Sequence, residues 1–426
     1  MRKTVAIVFA GGRAEELSVL TQRRPKSAIV YGGAYRMIDF ALTNLANTEG
    51  ITNVGILTQY RPSSLIDHVG IGLPWDFVGT RRGVRILPPY TGPQGAQFYR
   101  GTADALYQNI DYFDLYQPDD VLIVSADHAY HTSYEPLLRF HMERAADATL
   151  AFTPVAHNPS RFGIGELTAD GRMVSYAEKP EHPRSNLASM TVYVFKREVL
   201  VEELKRHAES QEKPRSFHIY DEILPRMMER RHVFGWVYHG DWEYARTLDA
   251  YFEAHQGLLG ENPRWDQNVA KVRTNSMEGR AATPPPAKVG PGGSVMDSII
   301  TGGCNIAGAV ERSVLSPGVV VEPGAVVRDS VLWDNVVVRS GAIVDRVICD
   351  KRCVIASGAH VGLGELFPSN EELPGSLSCG ATVLGMDVHV PAGAKIGRNC
   401  IIYPRAAAAD LSAPVASGTT VHIDEF

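Results

Sequence analysis

Short apolar runs alternate with stretches of helical spacing over roughly the first 260 residues. Thr4–Phe9, Asn53–Leu57, Asp120–Val124 and Ala148–Pro154 have the nearly unbroken apolar texture of buried strands. Met37–Ala46, Ala103–Leu115 and Tyr134–Ala146 carry apolar residues at helical spacing. This alternation predicts an α/β domain with a mostly parallel sheet and helices on both faces. Ligands of such sheets bind beyond the carboxyl ends of the strands.

The texture changes at Gly260. Asn262-Pro263, Pro284-Pro285-Pro286 and Gly290-Pro291-Gly292-Gly293 offer little that could build a core, so residues 261–293 read as a linker. Beyond it a six-residue period takes over. Val319, Ala325, Val331, Val337, Ile343, Cys349, Ile355 and Val361 follow one another at that interval. After an interruption at Glu365–Gly380, the register resumes at Leu384, Val390, Ile396 and Ile402. Pro-Gly and Ser-Gly turns recur at Pro317-Gly318, Pro323-Gly324, Ser340-Gly341 and Ser357-Gly358. A β-sandwich does not hold such a register; a parallel β-helix does, one hexapeptide forming each side of a coil. The expected domains are therefore 1–260, a linker at 261–293, and 294–426. The open coil ends and flat faces make self-association an expectation.

Charge and composition narrow the function classes. The formal net charge of −6 and the absence of any dominant basic run give nucleic-acid binding no support. The five cysteines, Cys304, Cys349, Cys353, Cys379 and Cys400, match no zinc spacing and read as small buried hydrophobes. No apolar run is long enough to span a membrane and no signal peptide precedes the first strand, so the cytoplasm is expected.

Candidate chemistry sits at the predicted strand ends. Gly11-Gly12 follows the first strand directly, where glycines let backbone N–H groups approach a phosphate; an ordinary tight turn would use them as well. Asp127 follows the run Val121–Val124 and is placed to hold a divalent cation beside a triphosphate, or else to cap a helix. Gln97-Phe98-Tyr99-Arg100-Gly101-Thr102-Ala103 puts an aromatic, a glycine and a hydroxyl before a helix, which suits a base or phosphate contact or a cap at Thr102. Glu178 and Lys179 could offer a carboxylate to sugar hydroxyls and an ammonium to a phosphate, or form a solvated pair.

Taken in order, Ala10-Gly11-Gly12, Leu17–Thr21, Arg24–Ala28, Tyr35–Phe40, Tyr99–Ala105, Asp127-His128, Glu178-Lys179-Pro180 and Ser189–Tyr193 resemble the ADP-glucose pyrophosphorylase (glucose-1-phosphate adenylyltransferase) family over nearly the whole chain. The resemblance implies an N-terminal Rossmann-like nucleotidyltransferase domain and a C-terminal left-handed parallel β-helix of hexapeptide repeats. It implies transfer of a nucleotide from ATP to glucose 1-phosphate with release of pyrophosphate, in glycogen- or starch-type synthesis. By the same resemblance, Gly11, Gly12, Gln59, Gly101 and Thr102 border the nucleotide, with Lys26 on phosphate and Asp127 on Mg2+. Tyr99, Gly163, Glu178, Lys179 and Ser189 bind the sugar phosphate. A homotetramer, or a hetero-oligomer with a paralogue, is implied too.

The chain departs from the family pattern mildly at Ser27, where proline is usual, at Phe217–Glu222, which lacks the usual His-Asp-Phe-Gly, and more sharply at two further places. Glu16 stands where the loop after the glycines usually carries an arginine, and Tyr244 stands where a metal-binding aspartate is usual. These departures open the alternative of a catalytically impaired regulatory subunit; a further alternative is another sugar phosphate or nucleotide on the same scaffold. They also create the expectation that Glu16→Arg raises the rate. A hexapeptide acyltransferase is a weaker rival, with His360 and His389 as its catalytic histidine candidates.

Overall fold

The computed structural model describes residues 2–92, 95–96, 98–210, 216–265, 271–277, 283–365 and 368–423. Gln97 and the linker positions 266–270 and 278–282 lie outside the described residues. The chain forms two compact units: Met1–Gly12 with Ile38–Trp242, and Arg13–Met37 with Glu243–Phe426.

The first unit is built on a nine-stranded sheet. Its strands are β1 (Thr4–Phe9), β2 (Asn53–Leu57), β3 (Gly83–Leu87), β4 (Asp120–Ser125), β5 (Ala148–Pro154), β6 (Gly163–Leu167), β7 (Met173–Glu178), β8 (Leu187–Lys196) and β9 (Val233–Val237). The main path runs β7-β6-β8-β4-β1-β2-β3, with β5 pairing β8 and β9. The run β4-β1-β2-β3 is parallel. Its centre is buried on both faces: all of β4 and nearly all of β1 lack solvent contact. That is why these strands read as unbroken apolar runs. The region from β5 to β8 is joined by antiparallel pairs, outside the strand–helix alternation that the apolar pattern reveals. Where one helix is expected over Ala103–Leu115, there are two, Thr102–Tyr107 and Ile110–Tyr116.

The second unit is a parallel β-helix of three sheets made of two- and three-residue strands. The coil rather than the hexapeptide sets its register. Val321 pairs Val338 and Val338 pairs Ile355, each 17 residues on; Val327, Val344 and Val361 form a second inward column, and Leu315, Leu332 and Cys349 a third. Three six-residue sides would take 18, so a strict six-residue count slips by one position per coil. Val337 and Ile343 therefore come out only half-buried, while Val336, Val338, Ala342 and Val344 fill the interior. The expected turns fall at coil corners, where Gly318, Gly324, Gly341 and Gly358 take φ of 78°, 74°, 71° and 68°, a conformation that favours glycine. Four of the five free cysteines are buried and Cys379 is half-buried, and burial pushes the thiols of Cys304, Cys379 and Cys400 up. Among the described residues no helix is long and apolar enough to cross a membrane.

Candidate active site

In the first unit, the candidate residues lie at or just beyond the strand ends. A Cβ on Gly11 would sit 3.0 Å from the Gln59 backbone nitrogen, so the turn after β1 packs directly on the chain after β2. The Tyr60 N–H donates to the Gly11 carbonyl at 3.2 Å. A Cβ on Gly12, by contrast, would meet no described atom within 4 Å. Gly11 is thus needed by the fold, and Gly12 leaves backbone open to a ligand.

Gln59 holds the next segment. Its Oε1 accepts from the Tyr99 N–H at 2.5 Å and its Nε2 donates to the Tyr99 carbonyl at 3.3 Å. The Tyr99 hydroxyl is turned inward, donating to the Leu87 carbonyl at 3.1 Å and accepting from Asn109 at 2.9 Å. Burial raises its pKa. Gly101 and Thr102 are engaged with the segment after residue 216. A Cβ on Gly101 would collide with the Phe217 carbonyl, and the Thr102 hydroxyl accepts from the Ile219 N–H at 3.1 Å. Thr102 does not cap its own helix; the Asp104 carboxylate takes the Arg100 N–H at 3.0 Å instead.

Asp127 follows β4 and lies eight residues before the next helix, Glu135–Glu143, so it caps none. Its Oδ1 accepts from the Ser125 hydroxyl and stands 3.5 Å from His128 Nε2. Among the described residues, no group of three or more His, Cys, Asp or Glu side chains could hold a metal. The Asp127 carboxylate fits a divalent ion that takes most of its other ligands from phosphate oxygens and water.

The sugar-side candidates form one cluster. Gly163 on β6 lies directly opposite Glu178 on β7. A Cβ on Gly163 would fall on the Tyr176 hydroxyl and 2.7 Å from Glu178 Oε2, so glycine makes room for that pair. The Tyr176 hydroxyl donates to Glu178 Oε2 at 3.0 Å, and the Ser189 hydroxyl accepts from the Thr191 N–H at 3.3 Å. Burial first, then the charges of Tyr193 and Glu178, push the Tyr176 phenol well up. Burial raises Tyr193 to about 12. Both phenols are therefore neutral donors at ordinary pH. Next to Ser189, Thr191 takes a φ of 53°, a strained value for a β-branched residue, at an irregularity in β8. Lys179 is exposed, with its N–H on the Phe162 carbonyl at 3.1 Å.

Three rings join this cluster to Asp127. Trp242 lies 4.9 Å from the His128 ring and 5.4 Å from Phe162, the residue before Gly163. Neither Trp242 nor Tyr176 follows from the motifs. Tyr176 had a signal, since it shares a strand face with Glu178 two residues on. Trp242 had none, its partners lying 80 or more residues away in the chain.

Lys26 belongs to the second unit, where it is buried, with its ammonium 4.1 Å from the centre of the Tyr244 ring. The Tyr244 hydroxyl accepts from Arg246 at 3.2 Å, and Arg246 Nε donates to Glu16 Oε1 at 2.8 Å. Burial opposes the Glu16 charge, but its backbone hydrogen bond, Arg246 and Lys26 together hold its carboxyl below the usual range. Two of the departures from the family pattern, Glu16 and Tyr244, are thus tied together by one arginine.

The family model for nucleotidyl transferases matches residues 5–261, and a GlmU-like C-terminal hexapeptide model matches 285–366. The glucose-1-phosphate adenylyltransferase of Acetivibrio thermocellus is 38% identical over 95% of this chain and 93% of its own. That of Thermomicrobium roseum is 41% identical over 99% and 98%, and that of Thermotoga maritima 44% over 94% of each. The chain belongs to the glucose-1-phosphate adenylyltransferase family of nucleotidyl transferases. It is a nucleotidyl transferase joined to a hexapeptide β-helix, and the acyltransferase reading falls away, because the transferase match covers the half of the chain that bears the site.

Proposed function

We propose that this nucleotidyl transferase forms ADP-glucose and pyrophosphate from ATP and glucose 1-phosphate. An oxygen of the sugar phosphate attacks the α-phosphorus of ATP. The bond from that phosphorus to the β-phosphate's bridging oxygen breaks, and pyrophosphate leaves in line with the electron pair. Positioning and charge neutralisation carry such a reaction.

In this reading the open backbone at Gly12, braced by Gly11, receives the triphosphate. Gln59, Gly101 and Thr102 shape the nucleotide side by fixing backbone. Lys26 contacts phosphate. Asp127 would hold Mg2+, which would neutralise phosphate charge there. Glu178, with Gly163, Ser189 and Lys179, takes the sugar phosphate; Tyr99, whose hydroxyl is spent inside the fold, acts by its placement alone. The observation that carries the reading is the Gly163–Tyr176–Glu178 cluster linked through Phe162, Trp242 and His128 to Asp127. It supports a sugar acceptor beside a metal-held phosphate. We place the reaction in the cytoplasm, where both substrates are made. Assembly with further copies or a paralogue is supported by the first coil, which leaves Val289, Val295 and Met296 exposed.

The test is release of pyrophosphate by the purified chain given ATP, glucose 1-phosphate and Mg2+. Asp127→Asn is expected to lower the rate by about a thousandfold or more, the scale of removing a charge-stabilising group; a surviving rate overturns the metal assignment. Tyr244, a neutral side chain, favours a second reading, an impaired regulatory subunit. Binding of glucose 1-phosphate with no pyrophosphate release at high enzyme concentration selects that reading.

A further inference from the structure

Arg246 is held from two sides within the second unit. Its Nε donates to Glu16 and one Nη donates to the Tyr244 hydroxyl. A guanidinium has five N–H donors, so three remain with no partner among the described residues. The side chain is 31% exposed, enough for those donors to reach a ligand. Lys26 rests its ammonium on the face of the same tyrosine. Two cations therefore meet around one phenol, and both act on the Glu16 carboxylate. An exposed ion pair alone is worth little. A guanidinium fixed in its plane beside a second cation is the arrangement that grips phosphate by parallel hydrogen bonds.

We propose that Arg246, clamped by Glu16 and Tyr244, binds a diphosphate anion, pyrophosphate, together with Lys26. The identity of the anion rests on the proposed function; the binding itself does not. Glu16 is then a positioning residue, orienting the guanidinium while its own charge is offset. Tyr244 spaces the two cations.

The experiment is titration calorimetry of the full chain with inorganic pyrophosphate and Mg2+. Arg246→Gln is expected to weaken binding at least tenfold and Arg246→Lys less, since lysine keeps the charge and loses the fork. Affinity for glucose 1-phosphate stays within twofold. The double variant Glu16→Gln with Arg246→Gln removes the pair without stranding a carboxylate, and it is expected to bind pyrophosphate as poorly as Arg246→Gln. The proposal is overturned if the wild type binds no pyrophosphate, if Arg246→Gln binds within twofold of wild type, or if the double variant regains wild-type affinity. The last result would mean that Glu16 repulsion, not a lost arginine, caused the defect. Pyrophosphate binding through Arg246 without turnover would sink the proposed reaction and leave this inference standing. Turnover with binding indifferent to Arg246 would do the reverse.

Discussion

The Glu16 carboxylate accepts a hydrogen bond from Arg246 Nε at 2.8 Å, across 230 residues of sequence. Alone in the loop, Glu16 is a negative charge where phosphate is expected. Paired, it is one half of an ion pair. The expectation that Glu16→Arg raises activity therefore reverses. That substitution sets two guanidinium groups against each other, and the rate is expected to fall. The exchange Glu16→Arg with Arg246→Glu restores the ion pair but takes the guanidinium away from Tyr244, and is expected to recover only part of the activity. Steady-state rates of the two variants, side by side, check this; a faster Glu16→Arg single variant would show that the pair has no role.

Gly163→Ala places a methyl on the Tyr176 hydroxyl and against Glu178. The strand must shift by about an ångström or more, or the tyrosine must leave. A displacement of that size costs up to about a hundredfold in kcat/KM. The expected loss falls on glucose 1-phosphate, with the KM for ATP nearly unchanged. Equal changes in both KM values would detach Gly163 from the sugar side.

Arg24 donates to Asp350 at 2.7 Å, and both side chains are buried. The guanidinium also lies 5.0 Å from the centre of the Trp333 ring. Arg24→Met strands the Asp350 charge and is expected to destabilise the second unit by about 3–5 kcal/mol. Arg24→Met with Asp350→Leu leaves no unpaired charge and is expected to cost much less. Denaturant unfolding of the three proteins measures the difference.

His255 is fully buried between Tyr31 and Tyr251. Its Nε2 accepts from the Gly32 N–H at 3.1 Å, so Nδ1 carries the proton that it donates to the Tyr251 carbonyl at 2.8 Å. Burial lowers its pKa from 6.5 to about 4. Between those values the unfolded chain binds the proton and the folded chain does not. Its contribution is full above about pH 6.5 and is lost as the pH falls toward 4, a total of about 3 kcal/mol. His255→Gln is expected to flatten that part of the stability-versus-pH curve. An unchanged slope would assign the acid sensitivity elsewhere.

How far the sequence reaches differs between elements. β1, β2 and β5 follow from their apolar runs to the residue, and Met37–Ala46 from its helical spacing. The antiparallel strands β6 and β8 carry mixed patterns and were not legible, although they seat Gly163 and Ser189. The six-residue period revealed the β-helix but not its central 17-residue coils, because each of these closes one residue short of three full hexapeptides.

By itself the sequence determined the two architectures and the family, since each is written in local period or contiguous motif, and it marked the candidate positions of the site. Only the tertiary structure decided what those residues do beside one another. It turned the Tyr99 hydroxyl inward, gave Gly101 and Thr102 to the chain at Phe217, and carried Trp242 to His128 and Arg246 to Glu16. Such pairings join segments far apart in the chain. No local pattern encodes them, because they are fixed by the packing of whole sheets and coils.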